Sequence, residues 1–218
     1  MATPAGIVVV AHGGQDASKR SVTALDPPVL RMIPIAWAIR RAVGSSGITV
    51  LRVQFQLRGW NGEQASPAAD LNRLLDHIAA EHDGVPVLLV GHSMGGRAAF
   101  RTAGHPAVRA VAGLAPWLPF TEPVRQLAGR RVLVVHGNRD GIVKPSDTWA
   151  YAERARTVAS VTSVTAIEIA GGDHAMLRRA PLWHALTAEF ARLCFGLPAG
   201  PDPAAAAVRA AAPGITRL

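Results

Sequence analysis

The stretch Val87-Leu88-Leu89-Val90-Gly91-His92-Ser93-Met94-Gly95-Gly96 constrains this chain more than any other. An apolar run fit for a buried strand stops at a serine fenced by glycines, and a helical pattern, Met94 to Ala103, follows. A strand-turn-helix of this form makes the turn so sharp that side chains two residues either side of the serine would collide with the adjoining strand and helix. The serine is then held in an unfavourable backbone conformation, at about 1–3 kcal/mol. The helix that starts beneath it directs its positive N-terminal end at any oxyanion forming there. The plain alternative is a glycine-rich structural turn. The rest of the chain decides between them.

Other short apolar runs alternate with helical patterns: Ile7–Ala11, Ile48–Phe55, Val85–Val90, Val108–Leu114, Arg131–His136 and Val164–Ala170. Several are apolar throughout, as strands covered on both faces are. Helices are expected over residues 35–43 after Pro34, from Ser66-Pro67 through Leu71, Leu75 and Ile78, from Ser146-Asp147 to about Val158, and over 182–195 with Trp183, Leu186, Phe190 and Leu193 inward. Ser66 and the Ser146-Asp147 pair are read as caps. This alternation predicts an α/β fold: a three-layer α/β/α sandwich on a mostly parallel sheet of about six strands. Residues 1–197 are read as a single domain, and 198–218, rich in proline and alanine, as a loose tail with one short helix at most.

In open sheets of this type ligands sit at the carboxyl ends of the strands, and each polar candidate falls there. His174 follows the last run, in Gly171-Gly172-Asp173-His174. Asp140 follows the fifth, in His136-Gly137-Asn138-Arg139-Asp140; its plain reading is a turn aspartate, and Asp173 and Asp147 are its substitutes. Among the other histidines, His12, His92 and His136 also lie at strand ends and are read as framework. A hydroxyl, an imidazole and a carboxylate in the chain order Ser93, Asp140, His174 fit nucleophilic acyl transfer. The oxyanion would be held by the amides of Met94 and of Gly14, in His12-Gly13-Gly14-Gln15, with Gln15 the alternative. Gln15, Trp60 and Trp117 are candidate substrate contacts, the tryptophans as walls from the segments after two strands.

With these residues in place, "VVVAHGG", "VLLVGHSMGG", "VLVVHGNRDGIV" and "GGDHAML" resemble the α/β-hydrolase superfamily over roughly residues 6–195. That resemblance implies a Ser–Asp–His triad and ester, thioester or amide hydrolysis. The chain departs from the pattern in two ways. It starts almost at the His-Gly strand, so the opening antiparallel hairpin is expected to be missing. Only about 15 residues separate the runs at 108–114 and 131–136, too few for a helical lid domain.

Composition closes off other classes. The formal charge of +8 is almost all arginine, scattered rather than striped, which argues against a nucleic-acid partner. No apolar run reaches the ~18 residues of a membrane span. A lone cysteine, Cys194, rules out an internal disulfide, and no secretory leader is visible, so a cytoplasmic protein is expected. There is no His-Glu-x-x-His pattern, so neither a metal nor a cofactor is expected. The expected substrate is a small to medium ester or thioester. The alternatives are an acyltransferase or thioesterase on a carrier-bound acyl group, and a non-catalytic binding protein with the same fold. The oligomeric state is left open.

Overall fold

In a computed structural model, which describes residues 3–158, 160–210 and 213–218, seven strands form one sheet: β1 (Gly6–Ala11), β2 (Ile48–Val53), β3 (Val87–His92), β4 (Val108–Leu114), β5 (Arg131–Gly137), β6 (Ser163–Ile169) and β7 (Ile215–Arg217). Their order is β2-β1-β3-β4-β5-β6-β7, and every pairing is parallel. The helices are α1 (Pro27–Val43), α2 (Ser66–Glu81), α3 (Met94–Thr102), α4 (Pro145–Arg156), α5 (Ala180–Cys194) and α6 (Ala205–Arg209).

The continuous apolar runs have a simple cause. Successive strand side chains point to opposite faces, and here both faces are covered. Ile7, Val9, Val87, Leu89, Val132 and Val134 join one core, against α2, α3 and α4. Val8, Val10, Leu88, Val90, Leu133 and Val135 join the other, with α1, α5 and α6. The result is the three-layer sandwich expected from the alternation. The interval between β4 and β5 holds one 3₁₀ turn, Arg125–Leu127, and no lid domain.

The structure differs from the sequence reading in four places. The sheet has seven strands rather than about six, because Ile215–Arg217, inside the expected loose tail, pairs with β6. Three residues are too few for a two-residue period to be read. The segment is pinned from outside: the Leu218 amide donates to the Glu168 carbonyl, and Glu189 on α5 is ion-paired with Arg209 on α6. Ala211 and Ala212, within that tail, lie outside the described residues. Helix α1 begins at Pro27 and runs through Pro34 rather than starting there. The hydrogen bond lost at Pro34 would have gone to the Leu30 carbonyl, on a part-exposed turn where water can replace it. Ser66 caps nothing; it is the first residue of α2, and its hydroxyl accepts a hydrogen bond from Asn61 Nδ2 at 3.2 Å. Neither Ser146 nor Asp147 caps α4, which begins at Pro145. Asp147 lies in its first turn, where a negative charge suits the helix dipole.

Candidate active site

The chain builds β1 and β2 on one side and then crosses to place β3 on the other side of β1. The crevice at such a reversal, at the carboxyl ends of the strands, is where open α/β sheets bind ligands. The segments carrying Gly14 and Ser93 leave β1 and β3 on its two sides.

Ser93 sits between β3 and α3 with φ 52° and ψ −119°. This is a region that residues with a Cβ rarely enter. Both flanking glycines are required. A Cβ on Gly91 would strike the backbone of Gly95, and one on Gly95 would strike the carbonyl oxygens of His12 and Ala11. The strained turn is held by neighbours: the Ser93 amide donates to the Leu114 carbonyl at 3.1 Å, and the Ser93 carbonyl accepts from the Trp117 amide at 3.1 Å. Such over-determination keeps a costly conformation populated.

Three distant loops meet at this serine. His174 Nε2 is 3.0 Å from Ser93 Oγ, and His174 Nδ1 is 2.7 Å from Asp140 Oδ2. The Asp140 side chain is fully buried. Its Oδ1 accepts the amides of Ile142 and Val143 at 2.8 and 2.9 Å, and its Oδ2 also accepts His136 Nε2 at 2.9 Å. Burial opposes the charge, but hydrogen bonds from His136, His174, Val143 and Ile142 outweigh it and hold the carboxyl far below its ordinary range. Asp140 is therefore an anion able to receive His174 Nδ1–H, which leaves Nε2 bare toward the serine. Asp173, one of its substitutes, instead accepts the amides of Leu177 and Arg178.

The three strand-end histidines read as framework are framework of a specific kind. His12 accepts the Phe55 amide at Nε2 (3.1 Å), so its proton is on Nδ1, which donates to the Gly13 carbonyl at 2.6 Å. It ties the loop after β1 to the end of β2. His92 donates from Nε2 to the His174 carbonyl at 2.8 Å, and its ring lies 4.9 Å from that of His174. Burial, reinforced by the nearby His174, pushes its pKa down to about 3. His136 bonds Asp140 directly and meets Thr148 Oγ1 at 2.7 Å through its other nitrogen. A histidine four residues before the aspartate, at the same strand end, is the sequence signal that could have marked this support.

For the oxyanion donors, the Gln15 amide is engaged with the Arg58 carbonyl at 2.8 Å. Gly14 lies against the Arg58 carbonyl and the Met94 thioether, and a Cβ at that position would strike both. Gln15 lines a cavity of about 190 Å³ with His12, Gly13, Gly14, Asp26 and Arg58.

Trp60 and Trp117 face each other edge-on at 6.3 Å and hold the Arg97 guanidinium between them, 4.0 and 4.4 Å from the two rings. Arg97 lies one turn into α3 and donates to the fully buried Glu122 at 2.6 Å; Arg101 pairs with the same carboxylate. This cluster, which sequence spacing did not reveal, braces the helix beneath the serine. Trp60 also lines a separate cleft of about 380 Å³ with Asp16, Glu63 and Arg101. No helix among the described residues is long and apolar enough to cross a membrane.

No curated protein matches this chain. Many solved structures do. One is an α/β serine hydrolase without a lid from Xanthomonas campestris, 22% identical, covering 92% of this chain and 86% of that one at a TM-score of 0.59. Another is the esterase domain of a Rhodothermus marinus protein, 18% identical over 89% and 88% at 0.61. A third is Est1E from Butyrivibrio proteoclasticus, 14% identical over 89% and 90% at 0.62. At these identities the likeness establishes the fold. The family model described as Hydrolase_4 (serine aminopeptidase, S33) matches residues 2–128, more than half of the chain, and the protein belongs to this family of α/β hydrolases.

Proposed function

We propose that this protein is a serine hydrolase that cleaves a carboxylic ester or thioester through an acyl-enzyme on Ser93. One observation carries the reading: the unbroken hydrogen-bonded line Ser93 Oγ–His174 Nε2, His174 Nδ1–Asp140 Oδ2, at 3.0 and 2.7 Å. His174 takes the Ser93 proton as Oγ attacks the carbonyl carbon. The oxyanion is held by the amides of Met94 and Gly14. The tetrahedral intermediate collapses, the leaving group departs with the proton from His174, and the acyl group stays on Ser93. Water, deprotonated by His174, then attacks the acyl-enzyme and releases the acid. Asp140 keeps the imidazole in the required tautomer and stabilises its cation. The catalytic unit lies in residues 1–197, with 198–218 closing the sheet edge. Gln15 is offered as a substrate contact near the oxyanion loop, and Trp60 and Trp117 as a wall at the side of α3.

Fluorophosphonate labelling tests this. The native protein labels at Ser93, and Ser93→Ala abolishes both labelling and turnover of nitrophenyl esters down to the residue, at most about 10³–10⁴-fold over water, that binding and the oxyanion donors supply. Near-native turnover in Ser93→Ala overturns the proposal. Nitrophenyl esters of increasing chain length read the acyl preference in the same assay.

A further inference from the structure

Beside the candidate site lies a cleft of about 370 Å³ between α1 and the loop that follows His174. Its walls include Leu30, Arg31, Ile35, Met176, Leu177 and His184. Pro27 belongs both to this cleft and to the cavity at the Gly13-Gly14 loop, so the two adjoin. Met176 and Leu177 follow His174 by two and three residues, and the Arg31 charge reaches His92, the residue before the serine. The cleft thus adjoins the cavity at the Gly13-Gly14 loop and is walled in part by the loop that carries His174.

Its lining is apolar apart from two groups. His184 is driven toward its neutral form by burial. Arg31 is the exception. Desolvation lowers its pKa, and the charge offsetting this is the distant pull of Asp173, with no hydrogen-bond or ion-pair partner on the guanidinium among the described residues. Asp173 spends its Oδ1 on the Leu177 and Arg178 amides. Two other arginines near the candidate site are paired: Arg58 with Asp26 at 2.8 Å, and Arg97 with Glu122. A guanidinium at the wall of an otherwise apolar cleft, with no protein partner among the described residues, is placed to pair with an anion that enters the cleft. Around it, Leu30 and Leu177 leave 42% and 73% of their surface exposed, apolar area that a bound chain would cover.

We infer that Arg31 is a specificity-determining residue that selects esters or thioesters carrying a carboxylate separated from the scissile carbonyl by a short apolar spacer, the spacer lying in the cleft between α1 and the His174 loop. This rests on the serine-hydrolase reading and adds the substrate class to it. The carboxylate can belong to the acyl part or to the leaving group, and the two are separable by synthesis.

The test compares the monomethyl ester of a C6–C8 dicarboxylic acid with its dimethyl ester (charge on the acyl side). A matched pair of acetyl esters of a hydroxy acid and of its methyl ester places the charge on the leaving side. A charge-assisted pair predicts a preference in kcat/KM of about 10- to 100-fold for the anionic member of one pair. Arg31→Gln brings that ratio to near one, and Arg31→Lys restores part of it. Calorimetric binding of the monoanion and its neutral diester to Ser93→Ala, with and without Arg31→Gln, asks the same question without turnover. A ratio near one in the native protein, or one that survives Arg31→Gln, overturns the inference. Failure of the serine-hydrolase reading looks different: no Ser93-dependent labelling or turnover of any ester, while the calorimetric comparison still reports on Arg31.

Discussion

Replacing Asp140 with asparagine tests the triad reading most sharply, because the surroundings dictate how the new amide must lie. Oδ1 of Asp140 accepts two backbone N–H groups, from Ile142 and Val143. Neither can turn away without breaking the loop, so the asparagine must put its oxygen there. Its NH₂ then occupies the Oδ2 position, facing His174 Nδ1 at 2.7 Å and His136 Nε2 at 2.9 Å. A donor against Nδ1 stabilises the tautomer protonated on Nε2, whose proton points at Ser93. The base then has no lone pair for the serine. Loss of the carboxylate also leaves the imidazolium uncompensated. In a Ser-His-Asp triad an exchange of this kind lowers kcat by about 10⁴-fold, or about 5.5 kcal/mol at about 1.36 kcal/mol per decade. The assay is steady-state hydrolysis of a nitrophenyl ester, with fluorophosphonate labelling rate as a second readout and circular dichroism to verify the fold. KM should move little, since the Asp140 side chain is fully buried behind His174. A folded Asp140→Asn protein within tenfold of native kcat would refute the reasoning.

Two further outcomes concern stability. Glu122→Gln leaves the guanidinium of Arg97 between two tryptophans without its carboxylate; breaking a buried pair from one side costs about 3–5 kcal/mol. At an unfolding entropy of about 2.1 cal/mol/K per residue over 218 residues, the melting temperature falls by about 7–11 °C in a thermal scan, and a fall under 2 °C contradicts the bracing role. His92 stays neutral in the folded chain until pH approaches about 3, whereas in the unfolded chain it binds a proton below its ordinary value of 6.5. Between those limits the unfolded state holds the extra proton, so stability falls as pH falls, by about 1.4 kcal/mol per pH unit for this one group. Urea unfolding of His92→Asn between pH 4 and 6 should show a slope shallower by that amount; an unchanged slope assigns the acid sensitivity elsewhere.

Much of this architecture is written in local pattern. The runs at 7–11, 87–90 and 132–135 are apolar at every position because each strand serves two cores, and no neighbour is needed to read that. Gly91, Ser93 and Gly95 announce their turn in part because the conflict at Gly91 arises with the backbone of Gly95, four residues on; the conflict at Gly95, with the His12 and Ala11 carbonyls, exists only in the folded chain. The chain order of Ser93, Asp140 and His174 is likewise legible, as each follows a strand whose end is visible in the sequence.

What only the tertiary structure decided depends on groups far apart in the chain. Strand β7 exists because β6 offers an open edge and α5 and α6 hold the segment beside it, not because three residues prefer to be extended. The Gln15 amide is lost as a donor to a carbonyl 43 residues away, and Trp60 and Trp117 close on Arg97 from 37 and 20 residues away. Arg31 and Glu122 carry no motif. Periodicity and steric exclusion act over a few bonds and so leave a mark in sequence, whereas hydrogen bonding and charge compensation between loops exist only once the folded chain has brought their partners within about 3 Å.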